Sequence, residues 1–335
     1  MTLVAVAVLV IVLSGEGRAP EDRAPERLVA ALKLGGSPQD VAFSLDDKTL
    51  AVAVGETAEL WDIGGRQRIE QPFTGHGGGT FGGRVDAVAF SPDGDTFATA
   101  SQDGTVRLWS VRTNAQVGQP LVNRPDIHPN DDWRRSVEFD RGGTRLLSAG
   151  LRGTAVWDVA SRARVTWVDG GPWDAGFNAA GDRIATGDTA SLATMWQVPG
   201  GGQIGKAFAG HSKAPNFSDN VFAVAFNRDG TLLATAGGDG TVRLWDVASQ
   251  TQSGEPIAVR GPEDVAFTAD GRLLATAGDE GARLWRVSDH QPVLGPLDSS
   301  EHYGAEKLAL SHDGRVLAVA QSGGFHVFLW DVSAV

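Results

Sequence analysis

Two histidine and aspartate combinations come closest to a catalytic or metal-binding pattern in this sequence. His76 is followed by Asp103, and His211 is followed by Asp239 at nearly the same distance along the chain. An imidazole beside a carboxylate could transfer protons or contribute ligands to a metal ion. Because both combinations fall at equivalent positions of a longer repeat, we expect a buried, structural role for them.

Two loops carry weaker signals for ligands. Residues 75–83 (GHGGGTFGG) are as rich in glycine as a phosphate-binding loop, but the Gly-Lys-Ser/Thr ending is missing. Residues 124–133 (RPDIHPNDDW) cluster oxygen ligands that suit a hard cation, at a spacing that matches no known metal loop. We therefore expect a flexible loop and a solvated acidic loop, with no bound metal or cofactor.

The composition limits the class of protein. Of the 335 residues, 41% are hydrophobic and 21% are charged, which provides enough apolar material for a large core. A net charge of -12 and a pI near 5.0 disfavour a nucleic-acid partner and favour a basic one, because phosphate groups would be repelled. The sequence has no cysteine, so disulfides, thiolate metal sites and cysteine nucleophiles are excluded.

The elements that would position these residues form a repeat. Residues 224–246 (VAFNRDGTLLATAGGDGTVRLWD) contain apolar runs separated by Asp-Gly turns, the pattern of a three-stranded meander. The unit occurs seven times, each with a phenylalanine or leucine anchor and a tryptophan 18 to 20 residues later. From each tryptophan to the next anchor the chain varies from 20 to 30 residues, as expected of a rigid scaffold with variable loops. The tryptophans are Trp61, Trp109, Trp157, Trp196, Trp245, Trp285 and Trp330.

A fourth segment follows the tryptophan in six of the copies. Four of these segments contain proline, which cannot donate to a ladder, so we expect them to be the outermost strand of each sheet. The seventh copy lacks such a segment, whereas residues 27–34 (RLVAALKL) precede the first copy. We expect this N-terminal strand to complete the last sheet and close a ring. The six segments are residues 67–73, 116–121, 163–168, 203–208, 252–257 and 291–297.

The repeat resembles that of the WD40-repeat family, and the resemblance covers essentially the whole chain from residue 26 onward. It implies an all-β fold, a seven-bladed β-propeller of four-stranded antiparallel blades, with residues 1–25 as an apolar segment and linker and residues 26–335 as the propeller. The QPL-type fourth strands look like those of bacterial WD40 domains of signalling proteins. The residues that carry the resemblance are Gly75-His76, Gly210-His211, the turns SPDG (91–94) and NRDG (227–230), the RLW triplets, and the Trp-Asp pairs at 61–62, 157–158, 245–246 and 330–331.

The resemblance also implies a buried hydrogen-bonded set of His, Ser or Thr, Asp and Trp within a blade. A buried indole N–H and a buried imidazole must find partners, and a satisfied chain of such bonds makes a blade rigid. The other blades lack members of the set, so we expect them to be less rigid. The matching residues are His76, Thr99, Asp103 and Trp109 in the second blade and His211, Thr235, Asp239 and Trp245 in the fifth.

In a propeller the innermost strands all begin at one face, around a central channel. Trp133 and Trp173 lie just before two such strands and outside the repeat's own tryptophan position. At the rim they would anchor a partner, although they could equally plug the channel or cover a neighbouring blade. The equivalent strand-start positions of the other blades carry both possible anchor residues and acidic residues. Such a combination fits a peptide that carries a basic residue. The predicted partner-binding residues are Asp86, Trp133, Arg134, Arg135, Trp173, Phe222, Glu263 and Glu306.

These observations favour a non-enzymatic interaction scaffold, itself monomeric, in a bacterial signalling or regulatory assembly. A protein or peptide partner would bind on the face that carries the long connectors, which enter blades two, three and five. The alternative is a propeller hydrolase or lactonase with a metal at the channel mouth. Asp86, Glu263 and Glu306 would offer carboxylates there, but no histidine is in register with them.

The N-terminus precedes the repeat. Residues 2–13 (TLVAVAVLVIVL) are almost wholly apolar, and residues 18–27 contain RAPE twice, as in a stiff, solvated linker. The apolar run is shorter than the roughly 20 residues of a bilayer span. A signal peptide has a positively charged residue before its apolar region, but no Lys or Arg precedes this run. Three interpretations remain: an atypical signal or anchor, the tail of a span that begins upstream, or a buried strand. The first two predict a membrane-anchored or exported propeller, and the third a cytoplasmic one.

Overall fold

A computed structural model of the chain describes residues 27–77, 82–122, 134–212, 219–297, 304–321 and 323–335. The predictions for the apolar N-terminal segment, for Trp133 and for the acidic loop of residues 124–133 therefore lie outside the described residues. No helix capable of spanning a membrane occurs in the part of the chain that the structure describes.

The described residues form seven antiparallel sheets, and these are the blades of a propeller. The innermost strand of each blade contacts the innermost strands of both neighbouring blades, all the way around a ring. The predicted all-β fold and its seven blades are thus confirmed. A strand that precedes the first blade is β1 (Leu28–Lys33).

The first, third and sixth blades have four continuous strands of their own, because their fourth segment pairs along its length with the third strand. The first blade contains β2 (Pro38–Phe43), β3 (Thr49–Val54), β4 (Thr57–Asp62) and β5 (Gln67–Phe73). The second blade, whose fourth strand is in two pieces, contains β6 (Val85–Phe90), β7 (Thr96–Ser101), β8 (Thr105–Ser110), β9 (Ala115–Gln116) and β10 (Leu121–Val122). The third contains β11 (Arg134–Phe139), β12 (Arg145–Gly150), β13 (Gly153–Asp158) and β14 (Arg164–Asp169).

The remaining blades follow the same order from the channel outward. The fourth contains β15 (Asp174–Phe177), β16 (Arg183–Gly187), β17 (Leu192–Gln197) and β18 (Phe208–Ala209). The fifth contains β19 (Val221–Phe226), β20 (Leu232–Gly237), β21 (Thr241–Asp246), β22 (Thr251–Gln252) and β23 (Ile257–Ala258). The sixth contains β24 (Asp264–Phe267), β25 (Leu273–Ala277), β26 (Ala282–Arg286) and β27 (Pro292–Leu297). The seventh contains β28 (Ala305–Leu310), β29 (Val316–Gln321) and β30 (His326–Asp331).

The first strand of the chain closes the ring, as predicted. β1 pairs antiparallel with β30, so the last blade has the order β1, β30, β29, β28. Leu32 of β1 is buried and belongs to a cluster with Val327 of the seventh blade and Leu50 of the first. The carboxylate of Asp47 in the first blade also accepts the backbone N–H of His312 in the seventh, over 2.7 Å.

The core lies between blades. The second strands have almost every residue buried on both faces, which explains their small, apolar composition such as the ATA of Ala98 to Ala100. Larger side chains from the adjoining strands fill the space between one blade and the next. Phe73 of the first blade meets Phe97 of the second edge to face, with ring centroids 4.6 Å apart.

The fourth segment pairs with the third strand as the outermost element of the second, fourth and fifth blades, as predicted, but it is interrupted there. In each of them a glycine leaves the ladder in the left-handed region, at φ values of 66° for Gly118, 64° for Gly205 and 70° for Gly254. Two short paired pieces remain on either side in the second and fifth blades.

Candidate functional site

The innermost strands begin with a β-bulge in five of the described blades. In the first blade the ladder between β2 and β3 shifts between Pro38 and Asp40, which leaves Gln39 as the extra residue. A bulge re-aims a side chain that the ladder would otherwise direct elsewhere. The same shift occurs around Asp86, Arg135, Phe222 and Glu306.

The fourth and sixth blades reach the same arrangement without a bulge. Trp173 and Glu263 lie directly before β15 and β24, and their N–H groups donate to the carbonyls of Gly187 and Ala277 over 2.9 and 3.0 Å. Every blade thus places one residue at the mouth of the channel. These seven residues line a single cavity of about 370 Å³, which we call the channel mouth: Gln39, Asp86, Arg135, Trp173, Phe222, Glu263 and Glu306.

Six of the eight predicted partner-binding residues therefore lie together. Trp133 is outside the described residues, and Arg134 begins β11 but its side chain is not among the parts that the structure describes. Sequence reasoning missed Gln39, although a signal was present. Gln39 stands four residues before its anchor Phe43, as each of the other six mouth residues stands four before its own.

One side of the channel mouth is aromatic. The guanidinium of Arg135 lies over the ring of Trp173, 3.8 Å from its centroid, in a cation–π contact. Trp173 in turn meets Phe222 edge to face, with centroids 5.4 Å apart. The buried indole N–H of Trp173 has no hydrogen-bond partner within the described part of the chain. Burial lowers the pKa of Arg135, and the nearby charge of Asp86 opposes this change.

Asp86 is the acid whose charge is best compensated in the channel mouth. The Nε–H of Arg84 donates to its carboxylate over 2.7 Å, and the side-chain amide of Gln102 donates over 3.3 Å. Burial raises the pKa of Asp86, while Arg84 and Gln102 oppose the increase. This carboxylate is therefore already occupied by the chain's own donors.

The opposite side of the channel mouth is acidic, with Glu263 and Glu306 on neighbouring blades. Burial raises the pKa of Glu263 to about 7; Lys307 opposes this increase, and the charges of Glu306 and Asp279 add to it. Lys307 also lines the cavity, but its ammonium lies 3.8 Å from Oδ1 of Asp264, deeper in the channel. The acidic side thus shares one lysine among several carboxylates.

Below the channel mouth, four carboxylates each connect one blade to the next, at four of the seven junctions of the ring. Each accepts a backbone N–H from the innermost strand of the following blade, at 2.9 to 3.0 Å. The pairs are Asp40 with Val88, Glu138 with Phe177, Asp174 with Val224, and Asp264 with Leu308. Burial raises the pKa of Asp40 to about 7 and that of Glu138 to about 8. Sequence reasoning did not single out any of these four acids.

The histidines that first suggested catalysis are held inside their blades. His76 donates from Nδ1 to Asp103 over 2.9 Å, because a carboxylate can only accept, and its Nε2 lies 2.6 Å from the Thr99 hydroxyl. The indole N–H of Trp109 donates to the same hydroxyl over 2.8 Å. Although burial alone would raise the pKa of Asp103, the hydrogen bonds from His76 and Thr105 hold it below its usual value.

The fifth blade repeats this set with His211, Thr235, Asp239 and Trp245. The distances are 2.9 Å from histidine to aspartate, 2.7 Å from histidine to threonine and 2.9 Å from indole to threonine. The ring nitrogens of both histidines are thus engaged within the blade. Their geometry gives them a packing role and directs neither of these two imidazoles at the channel mouth.

Several other blades keep part of the set. The indole N–H groups of Trp196 and Trp285 donate to Thr186 and Thr276, each over 2.9 Å. Trp61 donates instead to Glu59 over 3.0 Å, and the indole of Trp330 has no partner in the described ranges. The lower rigidity expected for these blades stays a prediction.

The residues that could hold a metal are separated in the structure. Among the described residues, no group of three or more His, Asp or Glu side chains is arranged to hold a metal ion. At the channel mouth, Asp86 belongs to the second blade and is bonded to Arg84, whereas Glu263 and Glu306 belong to the sixth and seventh. The arrangement provides recognition groups: a guanidinium, an aromatic pair and two carboxylates.

The sequence is similar to known repeat proteins. The family model described as WD domain, G-beta repeat matches residues 67–110, 202–246 and 259–286. Pre-mRNA-processing factor 19 homolog 2 of Arabidopsis thaliana is 31% identical over 208 residues, which cover 58% of this chain and 35% of that protein. Guanine nucleotide-binding protein subunit beta-1 of Nicotiana tabacum is 30% identical over 173 residues, which cover 48% of this chain and 44% of that protein.

A third relative, transcription initiation factor TFIID subunit 5 of Caenorhabditis elegans, is 26% identical over 216 residues. The chain spans less than half the length of the curated relatives it matches, 30% in the case of this subunit. The similarity to these relatives is therefore limited to part of their length. Three copies of the repeat match the family model and all seven fold as blades of one ring, so the chain contains WD40 repeats and forms a seven-bladed β-propeller.

Proposed function

We propose that this propeller is a non-catalytic interaction module that binds a protein or peptide at the channel mouth. The observation that carries the proposal is that each of the seven blades contributes one side chain to the same cavity. One of these side chains is a tryptophan and one is an arginine, two of the residue types enriched in binding hot spots, and a phenylalanine lies beside the tryptophan. A residue from every blade in one place gives a rigid, pre-organised surface.

The size of the cavity favours a segment of a partner over a folded surface. Its volume of about 370 Å³ is near the lower end of the roughly 300 to 1,000 Å³ typical of ligand pockets. A few side chains of an extended segment or loop would fill it. The rest of the partner would contact the surrounding face, where the connectors enter the innermost strands.

The charges at the channel mouth favour a basic side chain in that segment. Glu263 shares the lysine of the channel with deeper carboxylates, and the nearby charge of Glu306 adds to the increase in its pKa, so a basic side chain between the two glutamates would relieve this repulsion. The net charge of -12 acts in the same direction over longer distances and would steer a basic partner to the propeller.

The names of two relatives support a role within an assembly, since both are described as subunits, one of a guanine nucleotide-binding protein and one of a transcription initiation factor. We extend only this general role to the present chain. A bacterial signalling assembly remains a proposal that rests on the fourth-strand pattern. Attachment to a membrane rests on residues 2–13, and a monomeric state rests on closure of the ring by β1.

Site-specific photo-crosslinking tests the proposal. A photoreactive amino acid is placed at Gln39 in the channel mouth or at Lys48, which lies in the turn between β2 and β3 on the opposite face. Both proteins are irradiated in an extract of the source organism, and the adducts are identified by mass spectrometry. We expect a specific adduct at position 39 and none of the same protein at position 48. A specific adduct at position 48 alone would place the partner on the wrong face for this proposal.

A further inference from the structure

The charges of the channel mouth are divided across its diameter. In a ring of seven, the third blade stands opposite the gap between the sixth and the seventh. Arg135 from the third blade therefore faces Glu263 and Glu306, and all three line the same cavity. Trp173 and Phe222 occupy the arc between the two ends on one side. The cavity thus has a cationic end, an acidic end and an apolar wall between them.

The cationic end is pre-organised for an acceptor. The guanidinium carbon of Arg135 lies over the ring of Trp173, 3.8 Å from its centroid, and this contact restrains the group. Asp86, whose charge acts on Arg135, is already bonded to Arg84 and Gln102. No carboxylate of the described ranges forms an ion pair with Arg135. A planar guanidinium held in this way can give two parallel N–H bonds to one carboxylate.

The acidic end is suited to a cation. Burial alone would lower the pKa of Lys307, but the charges of Asp264, Asp174, Asp40 and Glu263 raise it. This one ammonium is therefore shared by four carboxyl groups, and the pKa of Glu263 remains raised beside it. An ammonium or guanidinium from outside would reduce the repulsion between Glu263 and its acidic neighbours.

We propose that the channel mouth selects a partner segment of mixed charge, with an acidic side chain on Arg135, a basic side chain on Glu263 and Glu306, and an apolar residue between them on Trp173 and Phe222. The inference rests on the proposed function and narrows it, because the proposed function asks only for a basic residue. A segment with two bases would bring one of them against Arg135. A segment with two acids would bring one against the glutamates, so both are disfavoured.

Synthetic peptides test this pattern. The probes are capped peptides with Glu at one end and Lys at the other, separated by one to four apolar residues, together with matched Lys/Lys, Gln/Lys and Gln/Gln series. Their affinity for the whole chain is measured by isothermal titration calorimetry. At one separation we expect the Glu/Lys peptide to bind at least about tenfold more tightly than its Gln/Lys and Lys/Lys counterparts, the gain of one charged hydrogen-bonded pair.

A variant of the cationic end assigns the gain to Arg135. Arg135→Gln should weaken the Glu/Lys peptide about tenfold and leave the Gln/Lys peptide unchanged. Arg272→Gln is the matched control, because Arg272 is exposed in the turn between β24 and β25 on the opposite face. Circular dichroism checks the fold, and Arg135→Lys replaces Arg135→Gln should the latter not fold. Lysine keeps the charge but loses the planar pair of donors, so the same selectivity should be lost.

The outcomes separate the two proposals. Equal affinity of the Glu/Lys and Gln/Lys peptides would overturn the acidic contact and leave the proposed function standing. The same conclusion follows if no peptide binds while position 39 still crosslinks to a partner. Failure of both the peptides and the crosslink at position 39 would overturn the inference together with the proposed function.

Discussion

Trp173 and Phe222 come from neighbouring blades and meet edge to face at the channel mouth, with ring centroids 5.4 Å apart. Neither residue belongs to the buried core between the blades, where the repeat's own tryptophans lie. The two aromatic rings therefore contribute little to what holds the blades together. This separation allows binding and stability to be changed independently by substitution.

Closure of the ring by the first strand should be visible in stability. Leu32→Ala removes a buried side chain of β1 that packs against the first and seventh blades, and should cost about 2 to 5 kcal/mol in the free energy of unfolding. Leu28→Ala in the same strand is the control, since Leu28 is 39% exposed and should change stability by about 0.5 kcal/mol or less. Urea denaturation measures both. Equal losses would contradict the role assigned to β1.

The threonine of the complete hydrogen-bonded set should matter more than that of a partial set. Thr235→Val leaves the indole N–H of Trp245 and a ring nitrogen of His211 without their partner, and should cost about 2 to 4 kcal/mol. Thr276→Val in the sixth blade affects only the indole of Trp285 and should cost about 1 to 2 kcal/mol. Urea denaturation of the two variants gives the comparison. A larger loss for Thr276→Val would contradict it.

The buried acids of the channel should make the propeller less stable as the pH rises. Asp40 and Glu138 have ordinary pKa values of 3.8 and 4.5 in an unfolded chain, and about 7 and about 8 in the fold. Between about pH 4 and pH 8 the folded chain therefore holds protons that the unfolded chain releases, so the free energy of unfolding falls across this window and levels off above it.

This pH dependence can be assigned to its source. The lowered pKa values of Asp103 and Asp239 have the opposite effect and stabilise the fold above about pH 4, so stability should be greatest under mildly acidic conditions. Thermal unfolding between pH 5 and pH 8 measures the trend. The double variant Asp40→Asn, Glu138→Gln keeps the side-chain acceptors without the titration and should flatten it. A wild-type midpoint that rises steadily over the same range would contradict the assignment.

Much of the site can be predicted from the position of each residue within the repeat, because that position depends on sequence spacing alone. Asp86, Arg135 and Glu263 stand at the same distance from their anchors, which is enough to place them at one mouth once the strands form a ring. Gln39 stands at the same spacing, so its place at the channel mouth could also have been predicted, whereas the bulge that turns it into the channel depends on how β2 pairs with β3. The interruptions of the fourth strands could not be predicted, because they arise from the left-handed backbone conformation of Gly118 and Gly254, which the spacing of the repeat does not reveal.

The contacts between side chains of different blades could not be predicted. That Arg135 lies on Trp173 depends on the separation of two blades and on the rotamers of both side chains. The carboxylate of Asp40 bonds to a backbone N–H in the next blade, which a pattern within one repeat does not contain. The division of charge between Arg135 and the two glutamates follows only from the closed ring.

The measurement that tests the account most directly is the affinity of the crosslinked partner for variants of the channel mouth. We expect Trp173→Ala and Phe222→Ala each to raise the Kd at least about tenfold with little change in the unfolding midpoint. Leu45→Ala, an exposed apolar residue in the turn between β2 and β3 on the opposite face, serves as the control and should bind as the wild type does. Wild-type affinity in both mouth variants, with the partner still bound, would contradict the assignment of the binding site to the channel mouth.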